Sequence, residues 1–198
     1  MRIIGLTGGV GCGKSTVAAI LKEKYNAKIL LTDELAKSSY EKGEKGYARI
    51  KEYFGESVLT KNGDIDKEEL GKIIFNNEEK LNLLNSLIHP IVWEMVMDEI
   101  LIAKKKDYNY LVIESAILVE AGYKRICDEI WFVRSKESVR IKRLSDTRGY
   151  SEEKSKSIIN NQAKEDVFIK NCDIIIDNDE DIIKLECAID RIINRRKE

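Results

Sequence analysis

Gly8-Gly9-Val10-Gly11-Cys12-Gly13-Lys14-Ser15 is the stretch of this 198-residue chain that decides how the rest is read. It satisfies the spacing GxxxxGK followed by Ser or Thr, with Gly8, Gly13, Lys14 and Ser15 in the fixed places. Glycines let a backbone turn so that successive N–H groups point inward at phosphate oxygens. Lys14 reaches β- and γ-phosphates, and the Ser15 hydroxyl is a hard oxygen ligand for Mg²⁺. A helix opening near Lys14 adds the positive end of its dipole. Ordinary residue frequencies give roughly one chance match per hundred chains of this length. Context lowers that further, because the motif follows an apolar stretch ending at Leu6 and precedes Val17, Ala18, Ile20 and Leu21. Gly9, Gly11, Cys12, Gly13, Lys14, Ser15 and Thr16 are therefore the expected nucleotide contacts.

Working outward, short apolar runs at 2–6, 28–31, 110–113, 129–133 and 173–176 predict five strands. They are nearly continuous rather than alternating, as expected of strands covered on both faces. Between them lie helical stripes, one of Val92, Val96, Ile100 and Ala103 and another of Ile182, Leu185, Ile189 and Ile192. Strand–helix alternation predicts an α/β domain with a five-stranded parallel sheet flanked by helices, the P-loop NTPase arrangement. From 34 to 106 the alternation stops and only helical pattern and turns remain (Lys42-Gly43-Glu44 and Lys61-Asn62-Gly63-Asp64). The expectation is one domain over 1–198 with a helical, substrate-holding insertion at 34–106.

Composition sets limits. A formal net charge of −1 argues against binding nucleic acid through bulk positive charge, though not against a local basic pocket. Cysteines at 12, 127, 172 and 187 form no CxxC clip, and there is a single histidine, so a zinc site or redox dithiol is not expected. The first residues carry no signal-peptide pattern, and no apolar run approaches the ~20 residues of a membrane span. The expected setting is a reduced cytoplasm.

Ligands of open α/β sheets sit beyond the carboxyl ends of the strands. Thr32-Asp33 follows strand two, Glu114 follows strand three and Arg134 follows strand four. Asp33 reads equally as a cap for a helix over 34–40 and as the acceptor that orients a hydroxyl for attack on a phosphorus. Glu114 reads as a group holding Mg²⁺ through water or as a polar strand end. The charged stretch 139–156, with Arg140, Arg143 and Arg148, reads as a solvated helix face or as a lid that brings guanidinium groups onto phosphates. Gly149 is placed to end its first helix and Ser151 to start the second, within a lid region over 135–165. Pro90 suits the first position of a helix from Ile91, and His89 before it is either a packed neighbour or a substrate contact. Cys12 is either a thiol activated by Lys14 and a helix N-terminus or a filler at a free motif position. The clusters Lys104-Lys105-Lys106 and Arg195-Arg196-Lys197 are expected to end helices.

Together these residues resemble the dephospho-CoA kinase family over nearly the whole chain. The resemblance rests on Ile4-Gly5-Leu6-Thr7-Gly8-Gly9-Val10-Gly11 with Gly13-Lys14-Ser15-Thr16, and on Asp33 followed by Leu35-Ala36. It continues through Tyr53-Phe54-Gly55, Leu87-Ile88-His89-Pro90, Ile117-Leu118-Val119-Glu120, Gln162 and Asp173-Ile174-Ile175-Ile176-Asp177-Asn178. It implies transfer from ATP, with Mg²⁺, to the 3′-hydroxyl of dephospho-CoA. It also implies a nucleotide core, a helical substrate region and a lid. The expected partners are ATP and dephospho-CoA, with no nucleic acid and no membrane, in a monomer or weak homo-oligomer. It favours Asp33, Lys14 and Arg143 as catalytic groups, with Asp33, His89, Pro90, Leu118 and Glu120 at the acceptor. Four positions depart from the family pattern. Leu31 stands where an aspartate is usual, and Glu114-Ser115-Ala116 replaces Asp-x-Pro. Thr147-Arg148-Gly149 replaces Arg-Asp-Gly, so Arg148 is displaced by one residue, and Ile158 replaces a lid arginine. The competing readings are a nucleoside, nucleotide or shikimate-type kinase and a nucleotide-gated switch. An Asn-Lys-x-Asp guanine-reading motif is missing.

Overall fold

A computed structural model describes residues 1–75 and 77–195. The apolar runs form β1 (Arg2–Thr7), β2 (Ala27–Leu31), β3 (Tyr110–Glu114), β4 (Glu129–Arg134) and β5 (Ile174–Asp177). They make one five-stranded parallel sheet in the order β2-β3-β1-β4-β5. Central β1 is hydrogen-bonded to β3 and β4, with Ile4 opposite Val112 and Glu129. Four of the expected strands, β1, β3, β4 and β5, end one residue beyond their apolar stretches. Glu114 and Arg134 are thus the last residues of β3 and β4 rather than the first beyond them.

The chain divides into two compact units, Met1–Leu30 with Ala103–Glu198, and Leu31–Ile102. In the first, α1 (Lys14–Tyr25) and α9 (Ile182–Asn194) bury one sheet face: Val17 and Leu21 join Ile4, Leu6, Val112, Trp131, Leu185 and Ile189 in one apolar cluster. The expected α9 stripe is shifted. Ile182, in the first turn, is 49% exposed, and Ile193 is buried in its place. Asp181 caps α9 by accepting the Lys184 N–H. Phe168 of α8 (Glu165–Asn171) stacks on Phe132 of β4, with ring centroids 4.8 Å apart. Between β4 and α8 lie α6 (Glu137–Arg148), ended at Gly149, and α7 (Glu152–Asn160), capped by Ser151, whose hydroxyl accepts the Lys154 N–H. Both ends fall where the sequence places them.

The second unit holds α2 (Thr32–Ser38), α3 (Lys45–Phe54), α4 (Lys67–Phe75) and all but the end of α5 (Glu78–Lys104). Beyond Leu31 at the end of β2, its one β feature among the described residues is an isolated Leu59–Ile65 bridge around the expected Asn62-Gly63 turn, which Tyr47 Oη braces by donating to Gly63 O at 2.7 Å. Val92, Val96 and Ile100 are buried as expected. Pro90 does not begin a helix. It lies inside the 27-residue α5, where its ring removes the N–H that the Ser86 carbonyl needs. Apolar burial on both sides of it, at Leu84, Ile88, Val92 and Val96, carries the helix through. Lys104 ends α5 as expected. Arg196 and Lys197 lie outside the described residues.

Candidate active site

The loop between β1 and α1 is shaped by contacts from far along the chain. Gly13 has φ 91°, and a Cβ there would stand 2.1 Å from Asn178 Nδ2, so only glycine fits. Asn178, just beyond β5, is buried and donates to Cys12 O at 2.8 Å, while its own carbonyl accepts the Ser135 hydroxyl at 2.6 Å. Arg140 on α6 donates from Nε to Val10 O at 2.8 Å. The Val10 and Cys12 carbonyls of the loop are thereby occupied. The Val10 N–H goes to Gln162 and the Cys12 N–H to Gly9 O, but the N–H groups of Gly11, Gly13 and Ser15 have no protein acceptor among the described residues. Helix α1 has no side-chain cap and no acid in its first turn, and Lys22 and Lys24 lie in its last. Its positive end is therefore left uncompensated, and the row of unspent donors is an anion site. Lys14 adds its ammonium, held to Gly8 O at 2.9 Å and Gly9 O at 3.3 Å.

Oxygen donors for a cation flank this cradle. Ser15 and Thr16 are exposed in the first turn of α1. Glu114 pairs opposite Leu6, and so shares the sheet face of Leu6, Ile4 and Val112, the face that α1 covers. Among the described residues no three His, Cys, Asp or Glu side chains cluster as a metal cage.

Arg143 stands at the rim of the cradle. Its shortest bond is to Ser135 Oγ at 3.1 Å, and its contacts to Gly11 O, Cys12 O and Asn178 Oδ1 are all long, at 3.4 Å. Arg134, which the order of strands points toward the cradle, is instead bound by Asp177 and by Glu165, the latter at 2.8 Å. These bonds push its pKa further up, Asp177 most, so it serves as a structural cation between β4, β5 and α8. Arg148 is exposed in the last turn of α6.

Of the two readings of Cys12, the structure supports the filler at a free motif position. Its side chain is 2% exposed and belongs to the apolar cluster with Val17 and Leu21, so it is a packing group and not an accessible thiol. Leu118 is likewise fully buried, its methyls lying where a Cβ on Gly5 would stand, 2.9 Å away. A substrate contact through that side chain is not available. Ile117 and Glu120, in the same run of turns, are exposed.

In the second unit Asp33 is exposed and lies one residue inside α2. The N-cap position is Leu31, and no side chain caps the helix, so the capping reading of Asp33 does not hold. His89 and Pro90 are exposed on α5. Ser135, Asn178 and the loop-holding role of Arg140 had no signal in the sequence beyond the Asp177-Asn178 pair itself. A cleft of about 650 Å³ opens beside the cradle, lined by Lys136, Val139, Asn178, Asp181 and Leu185 among others.

The family model for dephospho-CoA kinase matches residues 2–184. The chain belongs to the dephospho-CoA kinase family. A dephospho-CoA kinase of Carboxydothermus hydrogenoformans is 37% identical over 178 residues, covering 90% of this chain and 86% of that one. One of Staphylococcus aureus is 33% identical over 192 residues, covering 97% and 92%. A Thermus thermophilus protein of known crystal structure superposes with a TM-score of 0.82 at 27% identity, over 98% of this chain and 97% of that one. Shikimate kinase from Acinetobacter baumannii shares the fold at a TM-score of 0.57 and 12% identity, over 100% and 95%. Among the described residues, Arg140 and Arg143 are the arginines that bond the cradle's carbonyls.

Proposed function

We propose that this chain transfers the γ-phosphoryl group of ATP to the ribose 3′-hydroxyl of dephospho-coenzyme A, giving ADP and coenzyme A in the last step of coenzyme A biosynthesis. The observation that carries the reading is the row of unspent backbone donors with Lys14 at the end of β1, in a chain of this family. The N–H groups of Gly11, Gly13 and Ser15 take the phosphate oxygens, and the Lys14 ammonium exchanges the Gly8 and Gly9 carbonyls for the charge that grows in transfer. Arg143, whose contacts to the loop are long, gives them up for phosphate. Asp33 accepts the hydrogen bond of the 3′-hydroxyl and orients it. Ser15 and, through water, Glu114 fit a Mg²⁺ ion bound mainly by phosphate, because such ions take one or two protein oxygens rather than a full cage; the ion supplies charge neutralisation on the phosphates. The cleft beside Asn178 is assigned to adenine, since Asn178 both lines it and holds the cradle.

Residues 34–106 form the acceptor-holding insertion of a single kinase domain, with His89 and Pro90 as its contacts, Glu120 as a further acceptor contact outside it, and 135–165 as the lid. The exposed position of His89 and Pro90 on α5 supports that assignment. The setting we propose is cytoplasmic, as a monomer or weak homo-oligomer. In support, the four cysteines are free, and among the described residues no helix is long and apolar enough to cross a membrane.

Transfer of label from γ-labelled ATP to a panel of acceptors tests the reading. Label in dephospho-CoA supports it. Label in shikimate or a nucleotide, or only slow release of phosphate to water, overturns it. Pro90→Ala separates two roles of one residue. Restoring the missing helix hydrogen bond should stabilise the chain by about 1 kcal/mol or more, read as a higher Tm. A rise in KM for dephospho-CoA in the same variant marks the ring as an acceptor contact, and an unchanged KM removes it from the site.

A further inference from the structure

Gln162 stands in the turn after α7, 152 residues from the loop it touches. Its Oε1 accepts the Val10 N–H at 3.0 Å and the Arg140 Nη2–H at 2.6 Å. Two donors of different origin converge on one atom, which fixes which end of the amide is oxygen. The NH₂ end therefore points away from both, and its two donors have no protein acceptor among the described residues. The amide lies directly on the cradle. A Cβ on Gly9 would stand 2.9 Å from Oε1 and 2.4 Å from Arg140 Nη2, so a side chain there would have to displace the ends of this pair. Arg140 binds Val10 O with Nε and Gln162 with Nη2, and so holds the amide and the loop in one rigid arrangement.

We infer that Gln162 is a positioning residue for the terminal phosphate of the nucleotide, its NH₂ group donating to a γ-phosphate oxygen. A neutral amide suits this place. It adds donors without adding a charge beside Arg140, and its orientation is set before ligand arrives, so no ordering cost falls on binding. The inference rests on the reading of the cradle as an ATP site and not on the identity of the acceptor.

Gln162→Glu is the informative change. The glutamate keeps an oxygen for Val10 and Arg140, and so keeps the loop, but turns the NH₂ into a second carboxylate oxygen facing phosphate. Titration of the full-length chain with ATP and separately with ADP, with Mg²⁺ present and no acceptor, is expected to show ATP affinity lowered by at least about tenfold, the worth of a hydrogen bond to a charged group turned repulsive. ADP affinity should stay within about twofold of wild type in the same measurement. Loss of ADP and ATP affinity together shows that Gln162 only supports the loop, and retention of both shows no contact with the terminal phosphate. Either result overturns the inference. Gln162→Ala, which removes the loop bond as well, should weaken ADP and ATP alike. Because no acceptor is present, a wrong acceptor assignment leaves this test unaffected.

Discussion

Lys14→Ala is expected to lower kcat on the order of 10²-fold or more while leaving the fold intact. The ammonium is held by two carbonyls of its own loop, Gly8 O and Gly9 O, and both are exchangeable for phosphate oxygen. During transfer charge spreads over the γ-phosphoryl oxygens, and a cation already fixed beside them costs no reorganisation when the charge appears. The loop does not depend on Lys14 for its shape, because Arg140 holds Val10 O and both Ser135 and Asn178 donate to Cys12 O. Circular dichroism and Tm should therefore match wild type while steady-state turnover falls. Turnover within a few-fold of wild type would place the phosphates elsewhere.

Asp33→Asn is expected to keep ATP affinity and lower kcat by about 10²–10⁴-fold, the usual worth of a positioned acid–base group. Asparagine keeps the size and one acceptor but loses the charge that, in the mechanism we propose, draws the proton of the attacking hydroxyl. The variant should be nearly as stable as wild type. Asp33 caps no helix, and a carboxylate in an exposed first turn contributes only about 0.3–1 kcal/mol through the dipole. Stability and catalysis are thus separable at this position. Normal turnover in the variant would remove Asp33 from the mechanism and leave it as a favourable charge at the start of α2.

Features that depend on neighbours in sequence were legible in it. The cradle is a spacing of eight residues, and the strands are buried runs. The α6–α7 hairpin is written in Gly149 and Ser151. Each of these is decided by backbone or capping chemistry within a turn or two. What could not be read is what distant chain segments decide. Pro90 was misplaced because proline favours a first turn, and only the apolar stripe on either side, buried in the fold, overrides that preference. Cys12 carries the local features of an activated thiol, yet the side chain turns into the apolar cluster under the sheet, where no reagent reaches it. Arg134 sits at a strand end that should face ligand, but Asp177 and Glu165 from two later elements claim its guanidinium first. The contacts that shape the cradle, from Arg140, Gln162 and Asn178, reach across 130, 152 and 166 residues. No periodicity or spacing encodes such pairs in a single sequence.

Locating the new phosphate in the product tests the account most directly. The full-length chain, incubated with ATP, Mg²⁺ and dephospho-CoA, should give one phosphorylated product whose NMR spectrum couples the added phosphorus to the proton at the ribose 3′ carbon. Phosphate on any other atom of the acceptor, or inorganic phosphate released with dephospho-CoA recovered unchanged, would contradict it.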